Sequence, residues 1–163
     1  MSPQSNLGEA ESFNLDELEH TDLSSHNCLL ILPREKVNIE GEWRFIYDNQ
    51  SPTIRKLLEE EDIEVEFATS EEESKIAVEQ SIDLGIPEIL ILYGLWLENK
   101  DVIKIALRKI ADYYIQRGQR KMNVEYPVLL PDGSLEKVKY EGHPDDMPEK
   151  INSELDSLDS EDE

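Results

Sequence analysis

Apolar residues recur at helical spacing in the middle of the chain. Val102, Ile103, Ala106, Leu107, Ile110, Tyr113 and Tyr114 fall on one side of a helix, and Lys100, Asp101, Lys104, Arg108, Lys109 and Asp112 fall on the other. The pattern then changes to partial alternation in two short runs, Met122 to Leu130 and Ser134 to Tyr140. Between them stands Pro131-Asp132-Gly133, a turn signal, so the pair predicts a β-hairpin. Pro127 has no amide hydrogen to donate and predicts an edge strand or a bulge there.

The first half of the chain shows the same two periods. Cys28 to Leu32 is a continuous apolar run ended by Pro33, which predicts a buried strand. Trp43, Phe45 and Tyr47 alternate with Arg44 and Ile46, a second strand with an aromatic face. Ser51-Pro52 predicts a helix start, with the serine as cap and the proline in the first turn, and Ile54, Leu57 and Leu58 turned toward the sheet. Ile63, Val65 and Phe67 alternate with Glu64 and Glu66, a half-exposed third strand. Ser70 and Glu73 have capping-box spacing and predict a helix through Ile76, Ala77 and Gln80 to Gly85. Ile89 to Leu97 is too short and too uniformly apolar for its period to separate helix from strand. The favoured reading is a helix that leads, with a break at Glu98-Asn99, into the one ending near Gly118.

Taken in order, these elements predict an α+β fold: a small two-layer sandwich whose mixed sheet of four to five strands is backed by helices and ends in a C-terminal β-hairpin. The strands at Trp43 and Ile63, joined by a helix, are expected to lie parallel through a right-handed crossover.

Charge sets the expected boundaries. The chain has 163 residues and a net charge of −22. Residues 1–26 carry −6 and residues 143–163 carry −8, leaving −8 for residues 27–142. Neither end shows sustained apolar periodicity, so both are expected to be disordered acidic tails around a single α+β domain at 27–142. The chain has a single cysteine, Cys28, which allows no internal disulfide. Met1 is not followed by a basic and then apolar leader, and the apolar run Ile86 to Leu97 is short for a span. The expected compartment is the cytoplasm, with no membrane contact.

Candidate chemistry is sparse. His26 and Cys28 are two apart, yet no further ligand has metal spacing, and the glycines form no phosphate loop. The expectation is no catalytic residue, no metal and no cofactor: a protein that is not an enzyme. Lys100 to Lys121 holds seven bases and two acids, and Glu59 to Glu73 nine acids and no base. A basic helix can grip phosphates, but the bland reading is a solvated face, and tails of this charge disfavour direct nucleic-acid binding. Ser153, Ser157 and Ser160 stand among acids, as substrates of an acid-directed kinase would, and as any acidic serine-rich end would.

The succession Trp43-Arg44-Phe45-Ile46-Tyr47, Ile54 to Leu58, Glu64 to Phe67, Asp101 to Arg120 and Val128-Leu129-Leu130-Pro131-Asp132-Gly133-Ser134 resembles the small effector-associated adaptor domains of bacterial conflict systems. The resemblance is one of pattern over about a hundred residues. It implies a non-catalytic role that couples a sensor to a protease or other effector through protein contacts. The functional expectation is therefore an interaction or adaptor module whose partner-binding residues are Lys104, Arg108 and Lys109 on the helix and Glu64 and Glu66 on the strand, with self-association as a further possibility. The alternative is an acidic inhibitor, an antitoxin or nucleic-acid mimic, that blocks a basic site on an enzyme.

Overall fold

The computed structural model describes residues 10–12, 28–69, 74–76 and 86–161. Its frame is a five-stranded mixed sheet. In chain order the strands and helices are β1 (Ala10–Ser12), β2 (Leu29–Ile31), β3 (Glu35–Ile39), β4 (Glu42–Tyr47), α1 (Ser51–Glu59), β5 (Val65–Phe67), β6 (Ser74–Ile76), β7 (Ile89–Leu92), α2 (Tyr93–Glu98), α3 (Lys100–Gln116), β8 (Met122–Leu129), β9 (Leu135–Gly142) and α4 (Met147–Glu161). The large sheet has the order β5-β2-β7-β8-β9, and a smaller one runs β1-β3-β4-β6. The fold is α+β, with the expected hairpin formed by β8 and β9.

Register explains which side of the large sheet the helices cover. Val65 lies beside Leu29, Ile31 beside Ile89, Ile91 beside Val128 and Tyr126 beside Val138. These side chains share one face, because alternate residues of a strand point the same way. The apolar stripe of α3 (Ile103, Ala106, Leu107, Ile110) packs on them and leaves a cavity of only about 10 Å³. α1 lies against α3 and β5, and α4 against α3 and β9. Ile54, Leu58, Ile103, Tyr114, Met147, Ile151 and Leu155 are all buried beneath or between them.

Several sequence expectations are corrected. Ile89 to Leu92 is a strand at the centre of the sheet, and only Tyr93 to Glu98 is helical. Four apolar residues flanked by buried strands on both sides satisfy their backbone in the ladder, and the break at Asn99 before α3 is where expected. Ser51 is the first residue of α1 rather than its cap; Gln50 occupies that position, and the Ser51 hydroxyl is buried without a partner. β4 does not pair with β5. It joins the small sheet, and β5 lies parallel to β2 instead. The hairpin of β3 and β4 was not foreseen; it turns at Glu40 and Gly41, which both have positive φ. Pro127 sits within an interior strand, but pairing of β8 with β7 begins only at Val128. Its missing amide therefore interrupts no ladder.

The charged ends also differ from expectation. Residues 144–161 are not a tail: a 3-10 turn at Pro144–Asp146 leads into α4. Met147, Ile151 and Leu155, spaced four apart, form a stripe with no exposed surface. Net charge hid a helix whose exposed acids Glu149, Glu154 and Asp156 lie off that stripe. At the other end, Ala10–Ser12 pairs antiparallel with Glu35–Val37; the rest of the expected 1–26 tail lies outside the described residues. Of the helix expected from Ser70 to Gly85, Ser74–Ile76 is a strand parallel to Phe45–Tyr47, and residues 70–73 and 77–85 lie outside the described residues.

Candidate functional site

Several bases of α3 are ion-paired at the surface with acids of neighbouring segments. Arg108 donates from Nε to Asp112 Oδ1 at 3.2 Å and from Nη2 to Asp145 Oδ1 at 3.1 Å. It also reaches the Asp145 carbonyl at 3.3 Å, so it fastens the 3-10 turn that launches α4. Lys109 Nζ lies 2.9 Å from Glu61 Oε1, and this bond is the first cause of its raised pKa. Lys104 is exposed and makes no such contact among the described residues. The three bases share one helix, but the fold engages two of them internally.

The acidic candidates lie at a different place, the outer margin of the large sheet. Glu64 immediately precedes β5, Glu66 is at its centre, and both are exposed. Among the described residues β5 is the terminal strand of the sheet and pairs with β2. Leu29 N–H donates to the Glu64 carbonyl at 3.1 Å, and Ala68 N–H to the Ile31 carbonyl at 2.9 Å. In a parallel ladder with those bonds, residues 64, 66 and 68 turn their main chain toward β2. Val65 and Phe67 turn theirs away from β2, where Val65 is buried and Phe67 half-buried.

An open groove of about 490 Å³ runs beside this margin. α1 contributes Arg55 and Glu59 to it, the following turn Asp62 and Ile63, and β5 Glu64, Val65 and Glu66. Four carboxylates thus face one guanidinium. That guanidinium is itself held: Arg55 Nε is 2.8 Å from Glu59 Oε1, and its head lies 5.3 Å from the Phe67 ring centroid. The margin is stiffened from beneath. Phe67 stacks on Tyr47 at 4.8 Å, and the Tyr47 hydroxyl lies 2.8 Å from Thr69 Oγ1 and accepts from Thr69 N–H at 3.0 Å.

Cys28 lies behind the same strand. Its thiol donates to Glu66 Oε2 at 3.7 Å, and burial, reinforced by the charges of Glu66 and Glu64, pushes its pKa up to about 11. A thiol so raised is neutral and a poor nucleophile near pH 7. His26, the other half of the pair considered for metal, lies outside the described residues. Among the described residues no group of three or more His, Cys, Asp or Glu side chains is placed to hold a metal ion. No helix among them is long and apolar enough to cross a membrane.

Sequence reasoning singled out Glu64 and Glu66 and did not place Arg55, Glu59 and Asp62 beside them. The signal was partly present: Arg55 and Glu59 have i,i+4 spacing, and Glu59 and Asp62 open the acidic run. No protein-family model, curated protein or solved structure matches the chain.

Proposed function

We propose that this chain is a cytoplasmic, non-enzymatic docking module that binds a protein partner through the acidic margin of its large sheet. The observation that carries this reading is the juxtaposition at β5. β5 borders an open groove in which carboxylates outnumber bases by four to one. Such a margin has a field that speeds the approach of a positively charged partner. The basic face of α3 is the weaker docking candidate, since Arg108 and Lys109 stabilise the fold itself. The resemblance to effector-associated adaptor domains supplies a context, the control of an effector by contact.

Paired charge reversals test this reading. Glu64→Lys with Glu66→Lys should abolish capture of the partner by the full chain, and Lys104→Glu should leave it intact, both with unchanged circular dichroism. Capture that survives the first change and is lost with the second moves the docking surface to α3. Capture indifferent to both removes the reading.

A second reading, the acidic inhibitor, gains from one feature. Mimicry of a nucleic-acid backbone needs charge arrayed on a rigid body, and α4 carries exposed Glu149, Glu154 and Asp156 on a packed helix. It expects double-stranded DNA to compete with the chain for the partner. It also expects Glu149→Gln, Glu154→Gln and Asp156→Asn to weaken capture together.

A further inference from the structure

We propose that α4 is a stand-in, supplied by the chain itself, for the helix of a second partner. The groove between α3 and β9 in which it lies takes an acidic amphipathic helix of another protein, and that helix displaces α4. The groove is separate from the acidic margin at β5, and its occupant carries the opposite charge to the partner captured there.

The helix that now fills the seat shows what the seat accepts. α4 lies against α3 and β9, and its Met147, Ile151 and Leu155, four residues apart, have no exposed surface. That is the spacing by which one helix face enters an apolar groove. Lys100, Lys104 and Arg108 follow one another at i,i+4 along α3, so they form a row of positive charge beside the stripe. α4 answers the two ends of the row: Asp156 lies 3.5 Å from Lys100 and Asp145 3.1 Å from Arg108. The two helices therefore run antiparallel, which sets the middle of α4 beside Lys104. Residues 144–161 carry seven acids and one base. Charge and apolar spacing thus specify the same kind of occupant.

α4 fills that seat incompletely, which is why a second helix can take it. Two polar groups are left over. Lys104, the middle of the row, is exposed and has no carboxylate partner among the described residues. Asn152 stands between Asp145 and Asp156, on the same helix face as Asp156, and its Oδ1 is buried without a partner. Such an atom has lost its water and gained nothing in return. A carboxylate in place of the Asn152 amide gives Lys104 its counter-ion and removes the buried orphan. The last turn of α4 also holds no base to complement the negative end of the helix. A partner helix with acids at the positions of Asp145, Asn152 and Asp156 therefore fits the groove better than α4 does. The advantage of α4 is its tether, which gives it a high local concentration.

The test uses the full chain and a labelled peptide with the sequence of residues 144–161, read by fluorescence anisotropy. Binding is measured on the unaltered chain and on a Leu155→Ala chain, in which the resident helix is weakened. The peptide should bind the Leu155→Ala chain about tenfold or more tightly than the unaltered one. Asn152→Asp in the peptide should tighten binding by about threefold or more, and Lys104→Ala in the chain should cancel that gain. A peptide carrying Asp145→Lys and Asp156→Lys should not bind. In the unaltered chain, saturating peptide should quicken amide exchange at Ile151 and Leu155 and leave Ile91, in the centre of the sheet, unchanged. No binding to a folded Leu155→Ala chain, a gain from Asn152→Asp that persists without Lys104, or binding that leaves Ile151 and Leu155 protected each overturns the proposal. If Leu155→Ala unfolds the body, exchange at Ile151 and Leu155 in the unaltered chain decides alone. Failure here leaves capture at the acidic margin untouched, since Glu64 and Glu66 test that surface separately.

Discussion

The apolar stripe of α4, rather than its ion pairs, should hold residues 144–161 on the body. Leu155 has no exposed surface, and its carbonyl accepts from the Tyr93 hydroxyl at 3.4 Å. Truncating a buried leucine to alanine costs about 2–5 kcal/mol from lost transfer energy and the space left behind. The electrostatic fastenings are Lys100 to Asp156 at 3.5 Å and Arg108 to Asp145 at 3.1 Å, all with side chains two-fifths or more exposed. Exposed pairs of this kind contribute about 0–1 kcal/mol each and weaken with salt. Leu155→Ala should therefore lower the urea midpoint with little change in slope, and the loss should persist at high salt. Lys100→Ala should cost less than a third as much and lose its effect as salt rises. Buried Trp96 provides the fluorescence signal for the core. A Leu155→Ala midpoint indistinguishable from that of exposed Ser153→Ala would refute the packing argument and restore the acidic end as a tail.

That end shows why part of the architecture was legible in the chain and part was not. Where one period held over several residues, as in α3, α1 and β8, burial followed the pattern; β4 alternates in sequence, yet Trp43 is exposed and Phe45 is only half-buried, like Arg44 and Ile46. α4 keeps an i,i+4 apolar spacing at Met147, Ile151 and Leu155, but each apolar residue is isolated among polar ones, and the local charge outweighed it. Ile89 to Leu97 failed for the opposite reason: uniform apolarity erases the period, and only tertiary pairing on both sides makes its first half a strand. Glu64 and Glu66 were legible as exposed positions of an alternating segment. Their membership of a sheet margin was not, because the edge position depends on β5 pairing with a strand more than thirty residues upstream. The ion pairing of Arg108 with Asp145 and of Lys109 with Glu61 is likewise a product of long-range packing.

The Tyr126 hydroxyl is buried with no hydrogen-bond partner, so Tyr126→Phe should leave stability unchanged or raise it by up to about 1 kcal/mol, measured by urea unfolding. A loss of more than that would mean the hydroxyl has a partner. Stability should also fall as pH rises from 9 toward about 11. The Cys28 thiol is protonated in both states below that window, and the unfolded chain gives up its proton first within it, which favours unfolding. Cys28→Ala should make this alkaline loss shallower; buried Tyr114 and Tyr126, whose pKa values burial also raises, should preserve the rest of it at higher pH. In the hairpin turn, Gly133 has a φ of +88°, and Gly133→Ala should cost about 1 kcal/mol or more in thermal or urea unfolding. A neutral result would show that the turn can adopt another geometry.

Amide hydrogen exchange of the full chain, with and without its captured partner, tests the docking margin most directly. Residues 62–66, which line the acidic groove, should gain protection when the partner binds. Protection that appears along α3 around Lys104, with residues 62–66 unaltered, would contradict the account.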